Sequence, residues 1–416
     1  MKSSPHGAHV PGRDNRPMVE VCPTAPRVDQ RRRKQRLAIQ AITAVAMVAL
    51  ATGSAIALWY RSATLPSSSV ALAYQSASVQ LDRDRFGLPT IRAQTEAAAL
   101  YALGVAHAQD RLWQIVFNRR VAQGRLSELL GARTIDTDRF IRTLGIYRRA
   151  EQLAAQLDPD TGQLLDAYVA GINHVLATAE PLPPEFPLTG AAAPAPWTRA
   201  DSLSWMLLMA WDLSAQSHRN ELTRLRLAQQ LDQASIDDLR PPYPGDPRPA
   251  MANYVERYRL LGVGAKKPRN DAAPKAHSAL GEEPSAERSG EHWALAIGTG
   301  EGIGSNNWVV SGAHTRSGLP LLANDPHLGL YAPSPWYAAR ISAPGIEAAG
   351  ATMPGVPYII IGRTRNVAWG VTNTGPDVQD LYIERLRPDD HAQYQTPDGY
   401  QRFQERVETI HVKGQA

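Results

Sequence analysis

The stretch GTGEGIGSNNWVV, Gly298–Val310, combines a glycine-rich loop with a serine and an apolar segment. A phosphate-binding loop needs a helix after it, because the helix N-terminus supplies the N–H groups that hold the anion. Asn306–Val310 has no helix start signal and indicates a strand. A Gly-x-Gly-x-x-Gly motif beginning at Gly300 would also need glycine where Ser305 stands. The sequence therefore argues against nucleotide binding here.

The same stretch makes chemical sense if the chain is cut between Gly304 and Ser305. Ser305 then becomes an N-terminal residue, whose α-amine has a pKa of about 7.7–8.0 and can serve as base for its own hydroxyl. The glycine-rich loop would let the scissile peptide adopt a strained geometry. Residues 241–304 are rich in Pro, Ala, Gly and charge, which predicts a linker or an excisable spacer.

Composition limits the class of protein. The 416 residues, 43% of them hydrophobic, suggest two or three domains with a large core. A single cysteine, Cys22, excludes an intrachain disulfide framework and argues against a Cys-based metal site. The net charge of +4 is concentrated in the run Arg31–Arg36, and elsewhere basic and acidic residues are mixed. We therefore expect no nucleic-acid partner.

The apolar segment Leu37–Tyr60 follows this basic run and contains no charged residue. It is long enough to span the ~30 Å hydrocarbon layer as a helix. The positive-inside rule places residues 1–36 in the cytoplasm, as a disordered basic tail, and everything after Arg61 outside it. We therefore predict an inner-membrane anchor with a periplasmic catalytic part. The alternatives are a signal peptide, cleaved near Ala71–Ala73 to give a periplasmic protein, and a buried soluble helix.

The rest of the chain divides into helix-rich and strand-rich parts. Residues 61–78 read as a linker, and residues 79–240 begin with a hairpin over 79–91. A long helix is predicted from a Thr95 cap to a stop at Gly131. Further helices are predicted over 138–179 and 199–231, and strand-like segments dominate beyond the spacer. This order indicates an α+β or layered αββα protein.

Several side chains of the long helix are expected to be structural. His107 and Trp113 are predicted to be core and interhelix contacts. Arg119, Arg120 and Glu128 are predicted to form a buried ion-pair network.

Five separated segments, in order, resemble the penicillin amidase family of N-terminal-nucleophile hydrolases. They are RDRFGLPTIRA, AHAQDRLWQIVFNRRVAQGRLSELLG, SNNWVVSG, NDPHLGLYAPSPWY and VAWGVTNTGPDVQDLYIERL. The resemblance covers about Val79–Leu386, excluding the spacer. It implies an αββα sandwich, self-cleavage into an α/β heterodimer (α-chain region 79–240, β chain starting with 305–416), and hydrolysis of small-molecule N-acyl amides through an acyl-enzyme.

The resemblance also assigns roles to individual residues. Ser305 matches the nucleophile, with its own amine as base. His327 matches a position whose backbone N–H helps to hold the oxyanion and whose side chain supports the nucleophile, and Asn373 matches the second backbone donor. The family positions that line the acyl pocket correspond to Leu213, Leu328, Ile360 and Ile361.

A calcium ion is the one cofactor that the resemblance implies, with no organic cofactor. Asp377, the Gln379 carbonyl and Asp380 match the family's calcium site, and Glu221 matches its α-chain ligand. These oxygen donors suit Ca²⁺ as a hard cation.

The sequence departs from the family pattern in two ways, so more than one function is compatible with it. Arg363 and Thr364 replace a common His-Asn pair near the pocket. Family precursors also continue for several hundred residues, so we expect an N-terminal part, incomplete at the C-terminus, from a fragment record or a truncated gene. Residues 1–416 alone are expected to be inactive. The alternatives are a penicillin acylase-like hydrolase, an acyl-homoserine lactone acylase, or a truncated, inactive membrane-anchored remnant.

Overall fold

The structure is a computed structural model in two units, Met1–Thr64 and Leu65–Ala416, each taken here by itself. Most of the predicted spacer lies outside the described part of the chain. The described residues are 27–63, 69–179, 181–214, 216–228, 231–239, 241, 304–328, 332–373, 378–382 and 384–415.

The first unit consists of helix α1, Arg27–Ala63. Its stretch Arg32–Ala57 has a mean hydropathy of 1.8 and no buried side chain, so it is long and apolar enough to cross a membrane. Signal sequences share these properties. The helix begins earlier than predicted: residues 27–36, assigned to a disordered tail, are helical. Long, unbranched Arg, Lys and Gln side chains there favour helix.

The second unit begins with strands where the sequence analysis placed a linker. Strand β1, Ser69–Tyr74, pairs antiparallel with β2, Ala77–Arg83. The linker prediction for residues 61–78 is therefore wrong over its second half. Strand residues alternate between the two faces of a sheet, and alternate residues of β1 are half-buried between exposed ones: Val70, Leu72 and Tyr74.

Seven strands form the main sheet, in the order β1-β2-β3-β6-β7-β8-β9. The remaining strands are β3 (Pro89–Ala93), β4 (Gly304–Val310), β5 (Leu321–His327), β6 (Tyr337–Ala343), β7 (Ile346–Met353), β8 (Val356–Arg363), β9 (Ala368–Trp369), β10 (Gln393–Thr396) and β11 (Gly399–Arg402). The predicted hairpin is confirmed as the β2–β3 pair. Strands β3 and β6 pair in parallel, with Ile91 opposite Ile341. The sheet thus joins chain from both sides of the predicted cut.

Nine helices are described in this unit: α2 (Glu96–Gln123), α3 (Ser127–Leu130), α4 (Ile135–Leu144), α5 (Ile146–Ala155), α6 (Pro159–Thr178), α7 (Glu185–Thr189), α8 (Arg199–Ser214), α9 (Gln216–Leu227) and α10 (Gln233–Leu239). Thr95 caps α2 as predicted, accepting the Ala98 N–H. The predicted stop at Gly131 is wrong, because Gly124 ends the helix in a left-handed conformation with φ of 62°. A Cβ there would lie 2.8 Å from the Asp138 carbonyl oxygen.

The other two predicted helices are also divided. The stretch 138–179 contains α4, α5 and α6; Gly145, with φ of 70°, separates the first two, and Pro159 begins the third. The stretch 199–231 contains α8 and α9. The helical periodicity therefore predicted that these stretches are helical, but it did not predict the turns that divide them into separate helices.

The core lies between the sheet and the crossing of α2 with α6. Two glycines let these helices approach closely: a Cβ on Gly104 would lie 2.2 Å from the Tyr168 carbonyl oxygen, and one on Gly171 would lie 2.0 Å from that of Tyr101. Trp113 packs against this core as predicted.

A buried polar network crosses the core at His107. The Thr352 hydroxyl donates to the Tyr337 carbonyl at 2.7 Å, so it accepts from His107 Nε2, 2.8 Å away. His107 Nδ1 then accepts from the Tyr168 hydroxyl at 2.7 Å, which itself accepts the Gly355 N–H. Burial lowers the pKa of His107 to about 3, so the ring is neutral. The prediction of a structural histidine is confirmed.

The predicted ion-pair network is confirmed in part. Arg120 pairs with Glu128 at 3.1 Å, and both side chains are largely covered. Arg119 instead lies 3.6 Å from Asp201 on α8, with both side chains buried. Asp201, which the sequence analysis did not single out, also binds the Thr198 N–H at 2.7 Å.

Two further sheets have two strands each, β4–β5 and β10–β11. The mixture of helices and antiparallel-dominated sheet confirms the α+β class. The β4–β5 ribbon presents apolar side chains to solvent, with Trp308 55% and Val309 69% exposed. The complete αββα sandwich stays a prediction.

Candidate functional site

The β4–β5 ribbon brings together two predicted site residues that are separated in sequence. Its antiparallel register pairs Gly304 with His327 and Ser305 with Pro326. The strand predicted after Ser305 is therefore present, and its partner strand ends at His327. The candidate nucleophile and the candidate oxyanion residue lie on neighbouring strands as a result.

Ser305 holds its side chain against the peptide that would be cut. Its hydroxyl donates to the Gly304 carbonyl oxygen, with an Oγ–O distance of 2.6 Å. While the Gly304–Ser305 bond is intact, the Ser305 nitrogen is an amide and has no basic lone pair. A basic α-amine would exist at this position only after the Gly304–Ser305 bond is broken.

His327 lies beside the same peptide and has an acidic partner. Its Nε2 is 3.0 Å from Asp325 Oδ2, and its side chain is 44% exposed. A Cβ placed on Gly304 would lie 3.7 Å from His327 Nδ1, so the ring lies on the side of Gly304 where a side chain would stand. The ring thus pairs with a carboxylate through Nε2, and its Nδ1 lies on the side of Gly304.

Asp325 was missed by the sequence analysis, although a signal for it existed. Residues two apart in a strand share a face, so Asp325 in β5 had to stand next to His327. Thr372 was also missed. Its hydroxyl donates to the Ser305 carbonyl at 3.0 Å, a contact between residues 67 positions apart that no local pattern predicts.

Asn373 follows Thr372 and joins this region to α8. Its side-chain amide donates to the Leu213 carbonyl at 2.6 Å. Leu213 lies in the last turn of α8, where carbonyl groups have no partner within the helix. The structure thus brings Asn373 and the predicted pocket residue Leu213 to the region of Ser305.

The other predicted pocket residues are only partly gathered. Leu328, directly after β5, is half-buried, and its N–H binds the Pro326 carbonyl at 3.1 Å. Ile360 and Ile361 are consecutive in β8, so their side chains point to opposite faces. Ile360 packs with the apolar cluster that contains Leu208 of α8.

The predicted calcium ligands come from two segments that touch. Glu221 Oε2 accepts the Leu381 N–H at 2.7 Å, and the Gln379 side chain donates to Ser214 Oγ at 2.6 Å. Asp380 accepts the Tyr382 hydroxyl at 3.3 Å. Asp377 lies outside the described residues.

The donor set contains oxygen ligands that suit calcium. Within the described ranges, however, no three His, Cys, Asp or Glu side chains come together as a metal-binding group. The calcium site therefore stays a prediction.

Comparison with known proteins places the site in context. The chain is 34% identical over 340 residues to acyl-homoserine lactone acylase QuiP of Pseudomonas aeruginosa, matching 81% of this chain and 38% of the relative. It is 34% identical to the penicillin acylase 2 proenzyme of Pseudomonas sp. strain SE83, over 79% of this chain and 40% of that protein. It is 27% identical to penicillin G acylase of Escherichia coli, over 83% of this chain and 45% of that protein.

The chain thus spans about two fifths of the length of these relatives. A solved thermostable penicillin G acylase of Alcaligenes faecalis overlaps 49% of this chain and 100% of its own, at 23% identity and a TM-score of 0.34, which is too distant to add support. The penicillin amidase family profile matches residues 78–416. The chain belongs to the penicillin amidase family.

Proposed function

We propose that the protein is a hydrolase of N-acyl amides that cleaves its own Gly304–Ser305 bond and then uses Ser305 as its nucleophile. The observation that carries this proposal is the 2.6 Å contact between Ser305 Oγ and the Gly304 carbonyl, on a ribbon that sets His327 opposite. Membership of the penicillin amidase family supports acyl-amide hydrolysis and the αββα N-terminal-nucleophile fold.

Self-cleavage begins with attack of Ser305 Oγ on the Gly304 carbonyl carbon. The peptide C–N bond breaks, an ester links Gly304 to the hydroxyl oxygen, and the freed α-amine takes up the proton. Water then hydrolyses the ester, leaving a Gly304 carboxylate and a free Ser305 hydroxyl. We assign the proton transfer in these steps to His327, which pairs with Asp325 and lies opposite Gly304 on the ribbon.

Turnover uses the amine that cleavage creates. The neutral α-amine accepts the Ser305 hydroxyl proton while Oγ attacks the substrate carbonyl. The backbone N–H groups of His327 and Asn373 would hold the oxyanion, each contributing about 3 kcal/mol to the transition state. The amine product leaves, and water releases the acid from the acyl-enzyme. The two chains would remain together as an α/β heterodimer.

The acyl group is inferred to be apolar. Leu213 and Leu328 carry aliphatic side chains, and so does whichever of Ile360 and Ile361 lies on their side of β8, which favours burial of a hydrocarbon. The names of the relatives point to two classes of amide: penicillins and acyl-homoserine lactones. Because both are N-acyl amides, the same nucleophile serves either, and a panel of acyl-homoserine lactones and phenylacetyl amides separates the two activities.

Calcium binding is proposed where α9 meets the segment after Asn373. The Glu221 and Asp380 carboxylates and the Gln379 carbonyl would hold the ion together with Asp377. The ion would tie the chain before the spacer to the chain after it and supplies no step of the reaction. Elemental analysis of the purified protein tests this, and Glu221→Gln should lower both the calcium content and the unfolding temperature.

The N-terminal helix is proposed to place the hydrolase in the periplasm. The apolar stretch follows a basic run, which favours a cytoplasmic N-terminus. A periplasm-only reporter fused after residue 75 should be active, and carbonate extraction then separates an anchor from a cleaved signal. A reporter active only in the cytoplasm overturns this orientation.

The deciding experiment is mass analysis of the complete precursor, because residues 1–416 alone are expected to be inactive. A fragment that begins Ser-Asn-Asn-Trp is expected, and Ser305→Ala should abolish both cutting and turnover, whereas Ser305→Cys retains a nucleophile and should still cut. An active protein that stays continuous across residues 304–305 refutes the proposal. A wild-type protein that neither cuts nor hydrolyses acyl amides favours the inactive membrane-anchored alternative.

A further inference from the structure

Asn324, in β5, binds the segment that follows β9 through both ends of its side-chain amide. Its Nδ2 donates to the Val371 carbonyl at 2.9 Å, and its Oδ1 accepts the Val371 N–H, also at 2.9 Å. The same Nδ2 donates to the Asn306 carbonyl in β4 at 3.1 Å. One side chain therefore ties three backbone segments together, and it takes the place of a strand partner for Val371.

The contact between Asn324 and Val371 also depends on the neighbouring residue Gly370. A Cβ placed on Gly370 would lie 2.8 Å from both Cβ and Oδ1 of Asn324. Contacts below 3 Å are not tolerated between carbon atoms without a shift of one of them. Glycine at position 370 is thus what allows the backbone to approach Asn324 closely enough for the paired hydrogen bonds.

The tied segment carries two groups of the candidate site. Thr372, the next residue after Val371, donates to the Ser305 carbonyl at 3.0 Å. Asn373 follows, with its side chain on the Leu213 carbonyl. We infer that Asn324 is a positioning residue, which fixes segment 370–373 so that Thr372 orients Ser305 and the Asn373 N–H faces the reacting carbonyl. This inference rests on the proposed function of Ser305.

Loss of the tie should affect chemistry more than binding. Without Asn324, segment 370–373 keeps its connection to α8 through Asn373 but loses its register on the ribbon. Loss of one oxyanion donor costs about 10²–10³ in rate, and a displaced donor should cost less. We expect kcat and the rate of self-cleavage to fall about 10- to 100-fold, with KM changed less than twofold.

The test compares four variants of the complete precursor with the wild-type precursor. Asn324→Ala removes the tie, Asn324→Asp places a carboxylate against two carbonyl oxygens, and Gly370→Ala forces the segments apart without altering Asn324. The control is Asn307→Ala, because Asn307 lies opposite Asn324 on the ribbon, is exposed, and makes no side-chain hydrogen bond within the described part of the chain. The readouts are the fraction cut at 304–305 over time, kcat and KM for an acyl anilide, and the unfolding temperature.

Each outcome has a distinct meaning. A wild type that neither cuts nor turns over refutes the proposed function, whatever the variants do. A working wild type with Asn324→Ala and Gly370→Ala both slow, and Asn307→Ala normal, supports the inference. It is overturned if Asn324→Ala or Asn324→Asp matches Asn307→Ala in kcat and cutting. A loss confined to the unfolding temperature or to KM overturns it as well.

Discussion

Mild acid should destabilise the fold through one side chain, His107. The ring is buried and neutral, and burial lowers its pKa to about 3 from an ordinary value of about 6.5. Between these two pKa values the folded state therefore binds fewer protons than the unfolded chain. The free energy of unfolding is unaffected by protonation of His107 above pH 6.5 and decreases as the pH falls below that value. Within this pH window, each unit of acidification lowers the free energy of unfolding by about 1.4 kcal/mol.

The magnitude follows from the width of the window. At pH 4.5 the unfolded histidine is protonated and the folded one is not, and the difference of about two pH units amounts to about 3 kcal/mol. This is a large share of the ~5–15 kcal/mol that a domain has in total. Protonation would also break the network, because Nδ1 accepts from Tyr168 and a protonated Nδ1 has no lone pair.

The assay is urea unfolding at pH 7 and pH 4.5, applied to the wild type, His107→Gln and His174→Gln. His107→Gln should be less stable than the wild type at pH 7 but should lose about 3 kcal/mol less on acidification. Other titrating groups contribute to all three proteins and cancel. His174 is exposed on α6, so His174→Gln should follow the wild type. Equal pH dependence of His107→Gln and wild type refutes the argument.

Two other predictions concern cleavage and packing. Asp325→Asn should slow self-cleavage about tenfold by removing the charged partner of His327, with the unfolding temperature unchanged because Asp325 is 77% exposed; equal cutting rates in a time course would contradict this. Gly171→Ala should destabilise the protein by more than about 2 kcal/mol in urea unfolding, because its Cβ would lie 2.0 Å from the Tyr101 carbonyl oxygen on α2. An unchanged midpoint would show that α2 and α6 separate without cost.

Features that depend on neighbouring residues were predictable from the sequence. The Thr95 cap is one, because its hydroxyl accepts an N–H three residues along. The helix end is the opposite case. Gly124 and Gly131 are both plausible stops by sequence, and the choice between them depends on the approach of Asp138 and Arg142 to Gly124. That packing is tertiary, so no local period contains it.

Some residues of the candidate site could be named from the sequence, and others could not, for the same reason. Ser305 and His327 were named because the segments around them resemble a known family. Thr372 and Asn324 were not named, because their partners lie 67 and 47 residues away in the chain. A threonine or an asparagine in an extended segment has many possible partners, and the sequence does not rank them. Asp325 was within reach of the sequence, since it shares a strand face with His327.

The position of the proposed cut relative to the sheets determines which contacts would remain after cleavage. The Gly304–Ser305 bond lies at the start of the β4–β5 ribbon, outside the seven-stranded sheet. Contacts between the two sides of the cut lie elsewhere. Strand β3 pairs with β6, His107 binds Thr352 at 2.8 Å, and Arg83 donates to the Tyr337 hydroxyl at 3.2 Å.

Breaking the bond therefore releases an amine at Ser305 without removing a strand from the main sheet. If the proposed cleavage occurs, the α-amine forms where Thr372 binds the Ser305 carbonyl and His327 pairs with Gly304, while the remaining contacts join the two parts. Timing follows from covalent chemistry alone, because an amide nitrogen cannot act as the base and the amine made from it can. Under the proposed mechanism, the continuous chain is an inactive precursor, and its own Ser305 nitrogen becomes the base after cleavage.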